Sequence, residues 1–496
     1  MLWKKIKKHQ GKILLLLLFS IALLTRLYKI NSPVADWHSW RQADTASVSK
    51  YLLKNNFDLL HPRFHDLSIM ASRQENPQGW RFVEFPIYNA LHAGFYKILP
   101  AIDFDVWGRL TTILSSLMGL SFLYLLVKKV WDEKTAFLTG LFFALLPFNI
   151  YYSRTILPGP LAVAFSLAAI YFLLQYIEVK NMASLLLTIL CGAIALLTKP
   201  YAIFLIAPPC IYLTIDQLWQ KRKNLPEILK SSFPFLIVAV LMIAPLFLWR
   251  LWMKNFPAGI PSNIWLLNAG GMRLKAVWWR WLFYERIAKT ILGGWGVFLL
   301  SLGLTAKRDK KADIFMASFL IGALAYLVTF ARGNIQHDYY QLIIIPALCI
   351  YLGRGSSFLL YESKNKFYQW PAKLLFAIIF IFTVGFSFFE VRGYYQINHP
   401  DIIIAGQRAD QILPLNATKV IASYQGDTAF LYQINRPGWP VITAPLEEMI
   451  DKGATHYIAI NFDEVTRNIM QDYQVLEKTD RYVIIKLEKR QINPSK

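Results

Sequence analysis

Charge is scarce in this sequence. Only 17% of its 496 residues are Asp, Glu, Lys or Arg, while 55% are apolar and 15% aromatic; soluble domains average about 25% charged and 45–50% apolar. The apolar surplus sits in long charge-free runs, which excludes a water-soluble globular protein and a disordered one and points to a polytopic membrane protein. Cysteine is scarce too. Cys191, Cys210 and Cys349 lie inside apolar runs without metal-ligand spacing, so they neither frame disulfides nor report a redox compartment. There is no Walker A motif for an ATP-driven pump and no internal repeat of the kind found in many secondary transporters. The first apolar run has no small-residue cleavage site and continues into Arg26-Leu27-Tyr28-Lys29, so it reads as an uncleaved anchor. Acidic residues are outnumbered 31 to 53, for a net charge of +22. In a membrane protein that excess is the cytoplasmic-loop bias of basic residues and does not call for nucleic acid.

A spanning helix needs about 20 mostly apolar residues. Runs of that kind fall near 12–28, 108–127, 135–153, 156–177, 182–198, 200–217, 231–250, 288–306, 313–331, 339–360 and 373–390, about eleven spans. Lys4, Lys5, Lys7 and Lys8 precede the first. Lys128/Lys129, Lys221-Arg222-Lys223, Lys307-Arg308 with Lys310/Lys311, and Lys364/Lys366 occupy every second connection thereafter. This alternation predicts a cytoplasmic N-terminus and an extracytoplasmic C-terminus. Residues 29–107 form a long polar outer loop. The Trp- and Arg-rich 251–287 stretch suits an amphipathic helix at the interface. From 391 to 496 the composition turns soluble: β-like runs at 419–422, 456–460 and 482–485 alternate with helical stretches at 445–451 and 463–470, which predicts a small α/β domain. The expected architecture is a polytopic α-helical membrane domain over 1–390 and a C-terminal α/β extracytoplasmic domain over 391–496. In the latter, Asn416-Ala417-Thr418 fits an N-glycosylation triplet.

Four polar clusters lie on the predicted outer face. Ala35-Asp36-Trp37-His38-Ser39-Trp40-Arg41-Gln42-Ala43-Asp44-Thr45 sets two carboxylates, an imidazole and a guanidinium among aromatic rings; a solvated interfacial loop has the same composition. Glu84 precedes Pro86 and Tyr88, a pattern that also serves as a plain helix start. Lys199-Pro200 ends the fifth span, where a lysine either snorkels to headgroups or meets a phosphate at lipid depth. Arg332 through Tyr340, with His337, Tyr339 and Tyr340, reads either as an aromatic-belt turn or as part of a site. Carboxylates that can take a proton and cations that can hold a phosphate, on one membrane face, suit sugar transfer from a polyprenyl-phosphate carrier. A transporter or flippase of a polar polyprenyl lipid is the alternative. It would place ionisable groups near the bilayer midplane, whereas here they cap the outer ends of nearly charge-free spans.

Over residues 1–390 the sequence resembles the GT-C class of integral-membrane glycosyltransferases, in the branch of protein O-mannosyltransferases and lipid A aminoarabinose transferases. The resemblance rests on six elements in order: Asp36 to Thr45; Glu84, Pro86 and Tyr88; Gly108-Arg109-Leu110; Tyr152-Ser153-Arg154; Leu197-Thr198-Lys199; and His337, Tyr339, Tyr340 and Pro346. The Asp-Glu pair usual in the family's first loop is replaced here by Asp36-x-His38-x-x-Arg41-Gln42-x-Asp44-Thr45. The resemblance implies an inverting hexosyl- or pentosyltransferase of the cell envelope, in a bacterial inner or plasma membrane. Its donor would be a polyprenyl-phosphate sugar, its acceptor a protein, glycolipid or cell-wall glycan, and its setting membrane lipid. Asp36, Asp44 and Glu84 would be the catalytic acids, with Asp36 the expected base and Asp44 the alternative. His38, Arg41, Gln42, Tyr88, Arg109, Arg154, Lys199, Arg332, His337, Tyr339 and Tyr340 would bind substrate. Asp36, His38 and Asp44 lack a defined metal-ligand spacing, and the branch is metal-independent, so no cofactor is expected.

Overall fold

The computed structural model describes residues 2–220, 225–362, 366–414 and 418–489; for residues 2–10, 220, 225–229 and 366–368 only the backbone is described. Lys221-Arg222-Lys223, Lys364 and the Asn416-Ala417 part of the glycosylation triplet lie outside the described residues, as do the side chains of Lys4, Lys5, Lys7, Lys8 and Lys366. The chain divides into two compact units. One comprises 1–30, 109–250 and 263–393; the other comprises 31–108, 251–262 and 394–496.

The first unit is helical. Among the described residues, seven helices of the chain are long and apolar enough to cross a membrane, and an eighth counts if a bent pair is one span. The Ile345–Tyr361 helix is central. The span containing it is 89% buried, packed by the Glu133–Leu145 and Gly296–Thr305 helices. By contrast, Lys230–Met253 is only 11% buried although it is strongly apolar. An apolar helix with so little protein cover is stable only against hydrocarbon.

The predicted spans become helices, with two interruptions. The run at 135–153 splits into Glu133–Leu145 and Pro147–Tyr152. Pro147 has no N–H to continue the ladder and holds Leu146 in an extended conformation (φ −63°, ψ 116°). The run at 288–306 is broken as well. A π-helical segment, Arg280–Ile291, ends at Gly293 and Gly294, both left-handed, and the Gly296–Thr305 helix leaves at a bend of 109°. The 251–287 stretch is not one interfacial helix either. Around Pro257, Pro261 and the Gly270-Gly271 pair it forms only short turns, such as Pro257–Gly259 and Trp265–Asn268, before the helical segments that begin at Ala276.

The second unit contains the α/β element. Its five strands are β1 (Lys419–Ser423), β2 (Gly438–Trp439), β3 (Ala454–Ala459), β4 (Tyr473–Lys478) and β5 (Val483–Lys489), in sheet order β2-β1-β3-β5-β4. β1 runs parallel to β2 and β3, and β5 is antiparallel to β3 and β4. Ile421, Tyr457, Val483 and Ile485 build one core face with Met449 and Ile469 from the flanking helices. The sequence division at 390/391 parts this sheet from the first loop, yet the two share this unit. Leu67 N donates to Gly438 O at 2.8 Å, and Gly438 N donates to His65 O at 2.8 Å, so residues 65–67 extend the sheet beside β2. The first loop supplies two helices, Ser39–Lys54 and Ile87–Ile98. The Ser39–Lys54 helix is polar yet mostly buried, because its side chains find partners in the Thr428–Ile434 helix and the residues flanking it.

Candidate active site

In the second unit the predicted acids occupy two settings. Asp36 is 2% exposed and its Oδ1 accepts from Gln42 Nε2 at 2.6 Å. The Ser39–Lys54 helix begins just after it. His38 at the helix start holds a left-handed conformation (φ 56°, ψ 38°), a strained geometry for a residue with a side chain, with its ring edge-on to Trp37. Trp37 in turn stacks on Tyr394, centroids 5.1 Å apart. This turn aims the two ends of the 36–42 segment so that Gln42, one helical turn in, reaches back to the carboxylate.

Asp44 and Glu84 line a narrow crevice with Arg41, Arg81, Thr45 and Asn89. Arg41 Nη2 meets Glu84 Oε1 at 2.5 Å, and Arg81 Nη2 meets Asp44 Oδ2 at 2.6 Å. Thr428 Oγ1 donates to Asp44 Oδ1 at 2.7 Å, and Asn89 Nδ2 donates to Thr45 O at 2.6 Å. Each acid is thus matched by a cation at low exposure, which fixes its orientation. Tyr88 is buried and donates to Gly108 O at 2.7 Å. Of the predicted residues, Arg41, Asp44 and Glu84 come together in this cleft. Asp36 and Gln42 pair with each other.

In the first unit, Arg109 and Arg154 are fully buried and anchor the chain after the first span, donating to Ile30 O and Lys29 O, both at 2.7 Å. Lys199 caps the Met182–Thr198 helix, and its Nζ lies 5.9 Å from the Tyr201 ring centre. The Tyr201 and Tyr340 hydroxyls are 3.5 Å apart. His337 stacks on Tyr339 and tilts against Tyr340 and Trp265. Lys199, Tyr201, Tyr340, His337 and Tyr339 therefore form a chain of neighbours. Next to it, Asp338 is held by Tyr152 and by Arg286 at 2.6 Å. Arg332 is half-buried on the Ala331–Gln336 helix, without an ion pair or hydrogen bond from its guanidinium among the described residues. Among the described residues, no three His, Cys, Asp or Glu side chains gather as a metal ion requires.

Sequence reasoning missed Arg81, Thr428, Tyr201 and Arg286. Arg81 and Thr428 sit 37 and 384 positions from Asp44, and no motif connects them. It also missed Asp66. This carboxyl is 5% exposed, and burial, reinforced by the Asp44 charge, raises its pKa to about 6 even though Ser68 N donates to it at 2.8 Å. An acid whose folded pKa lies above its unfolded one favours the fold fully below about pH 4 and loses that advantage as pH rises through 6. Ionising Asp66 should cost about 3 kcal/mol at neutral pH. Asp66→Asn keeps the acceptor oxygen for Ser68 N and removes the charge. Its melting temperature in detergent should exceed wild type at pH 7.5 and match it near pH 4. Equal melting at pH 7.5 would contradict the assignment.

Residues 85–249 match the family described as dolichyl-phosphate-mannose-protein mannosyltransferase. No curated protein matches the chain by sequence. Among solved structures, ArnT from Cupriavidus metallidurans bound to undecaprenyl phosphate is 14% identical with a TM-score of 0.64, over 95% of this chain and 97% of that one. The fold is that of the GT-C glycosyltransferases.

Two further GT-C structures agree. The apo oligosaccharyltransferase of Archaeoglobus fulgidus is 11% identical, with a TM-score of 0.60 over 92% of this chain and 70% of that one. The arabinofuranosyltransferase AftD from Mycobacteria is 11% identical, with a TM-score of 0.61 over 96% of this chain and 40% of that one. The GT-C resemblance drawn from the six sequence elements and the GT-C fold coincide, and the proteins matched are glycosyltransferases. The 85–249 match includes Tyr88, Arg109, Arg154 and Lys199. The chain is an integral membrane protein of this fold.

Proposed function

We propose that this chain is an inverting glycosyltransferase that moves a sugar from a polyprenyl-phosphate carrier to an acceptor hydroxyl at the extracytoplasmic membrane face. The observation that carries the reading is the structural match along nearly the whole chain to ArnT bound to undecaprenyl phosphate. In this reading the membrane domain runs over 1–390, the N-terminus is cytoplasmic, and residues 391–496 lie outside the membrane and shape or select the acceptor.

The step is a single displacement. Asp36 takes the proton of the acceptor hydroxyl as that oxygen attacks the anomeric carbon, and the bond from that carbon to the phosphate oxygen breaks. The lipid phosphate leaves with the electron pair. A positioned base of this kind contributes about 10²–10⁴-fold. The leaving group needs charge compensation more than a proton. Lys199 and His337 supply it, with Arg332 as auxiliary, where low dielectric makes each charge count most. Arg109 and Arg154 act through the backbone they hold at residues 29 and 30. Glu84, fixed by Arg41, orients the acceptor. Holding a long lipid beside a polar acceptor is mainly a positioning problem, which a large membrane scaffold meets.

The purified full chain, given radiolabelled polyprenyl-phosphate sugar and envelope acceptors, is expected to yield labelled acceptor and to lose most of that yield on Lys199→Ala. Labelled donor appearing across the membrane of a sealed vesicle, with no labelled acceptor, would instead identify a transporter.

A further inference from the structure

On the second unit, a cleft of about 370 Å³ is lined by Asn55, Asp58, His61, Arg63, Trp80 and Phe256. None of these belongs to the transfer machinery described above. Trp80, Phe256 and the adjoining Trp252 are each only partly covered and surround His61, with centroids 5.3 to 5.8 Å from its ring. The platform is braced by neighbouring groups. Asn76 clamps Trp80 through both its N–H and its carbonyl, Phe82 stacks on Phe256 at 5.0 Å, and Trp252 Nε1 donates to Leu60 O at 2.9 Å.

Three polar features converge on that platform. Arg63 lies over the Trp80 ring at 4.3 Å, its Nε is buried without a partner, and its guanidinium makes no ion pair or hydrogen bond among the described residues. The Asn55 side-chain amide is likewise without a partner among them. Asp58 is already engaged, by Leu60 N at 3.1 Å and by His61 Nδ1 at 2.8 Å. The loop carrying Asn55 and Asp58 is held left-handed at two successive residues, Asn56 (φ 49°) and Phe57 (φ 59°). For phenylalanine that conformation is costly.

The geometry points to a binding site for an acidic saccharide, a sugar bearing a phosphate or carboxylate group. The partly exposed rings offer apolar edges and faces for a sugar's C–H side, the volume suits a mono- or disaccharide, Asn55 and Asp58 meet hydroxyls, and Arg63 takes the acid as a forked pair. Under the proposed function this site would seat the acidic part of a glycan or glycolipid acceptor at a distance from the sugar that reacts.

The test is saturation-transfer NMR on the purified full chain with glucose, glucose 6-phosphate, glucuronate and inorganic phosphate. Glucose 6-phosphate, glucuronate or both should bind about tenfold more tightly than glucose, as one charge-assisted pair provides. Arg63→Ala should erase that preference, and Trp80→Ala should lose all sugar binding. Arg63→Lys and Trp80→Phe, checked by melting temperature, should show partial losses if the alanine variants fold poorly. The ratio of phosphate ester to uronate affinity identifies which acid the site takes. Inorganic phosphate binding as tightly as glucose 6-phosphate, or an acid preference that survives Arg63→Ala, would overturn the site. Asp36→Asn protein should bind these sugars like wild type, so a failure of the glycosyltransfer reading shows separately, in the transfer assay.

Discussion

Asp36→Asn should lower sugar transfer by about 10²–10⁴-fold while leaving the protein folded. The substitution is close to isosteric, and the Asn oxygen can still accept from Gln42 Nε2, which donates to Asp36 at 2.6 Å. What disappears is the basic oxygen that takes the acceptor proton. Polyprenyl-phosphate binding should survive, because the proposed phosphate contacts come from Lys199 and His337. Asp44→Asn is the informative companion. It weakens the pair with Arg81 and leaves a guanidinium of low exposure without its charge partner, so it should lower stability more than Asp36→Asn does. If Asp36→Asn turns over at a near-native rate and Asp44→Asn collapses at equal folded yield, the base is Asp44.

Gly355→Val should prevent recovery of folded protein. A Cβ at Gly355 would lie 1.9 Å from Leu299 O, a backbone atom of the Gly296–Thr305 helix. Backbone cannot swing aside as a long side chain can, so the two helices must separate and the packing around the central Ile345–Tyr361 helix opens. The expected loss is several kcal/mol, at or above the ~1–3 kcal/mol usual for overpacking. Gly385→Ala is the control: nothing lies within 4 Å of its Cβ position, in the Lys366–Val391 helix. It should be neutral or raise stability by up to ~1 kcal/mol. Size-exclusion profiles and melting in detergent separate the two outcomes, and a monodisperse Gly355→Val protein of wild-type stability would contradict the close approach.

These two sites show unequal legibility in the sequence. The helices around Gly355 announce themselves, because twenty apolar residues in a row have one stable backbone form in hydrocarbon. Their interruptions are local too, yet Pro147 and Gly293-Gly294 sit within apolar runs and hydropathy alone passes over them. The Ser39–Lys54 helix is harder. Arg41, Gln42, Asp44, Ser47 and Ser49 are all buried, but nothing in residues 39–54 indicates that Asp427, Thr428, Tyr432 and Asn435 complete that surface almost 400 positions away. The sheet divides in the same way. β1, β3 and β5 read as apolar runs, whereas two-residue β2 exists through its pairing with β1 and its hydrogen bonds to residues 65–67. β4, Tyr-Gln-Val-Leu-Glu-Lys, is an edge strand with exposed alternate residues. The acids and cations of the candidate site are visible as residue types. Their pairings, Arg41 with Glu84 and Arg81 with Asp44, arise only on folding.

Whether one displacement at the anomeric carbon releases the lipid phosphate is decided by the configuration of the product. Purified protein should be given a polyprenyl-phosphate sugar of known anomeric form, and the transferred sugar read by proton NMR from its anomeric coupling. The account predicts the opposite anomer to the donor's, with one polyprenyl phosphate freed for each sugar transferred; a product that keeps the donor's configuration would contradict it.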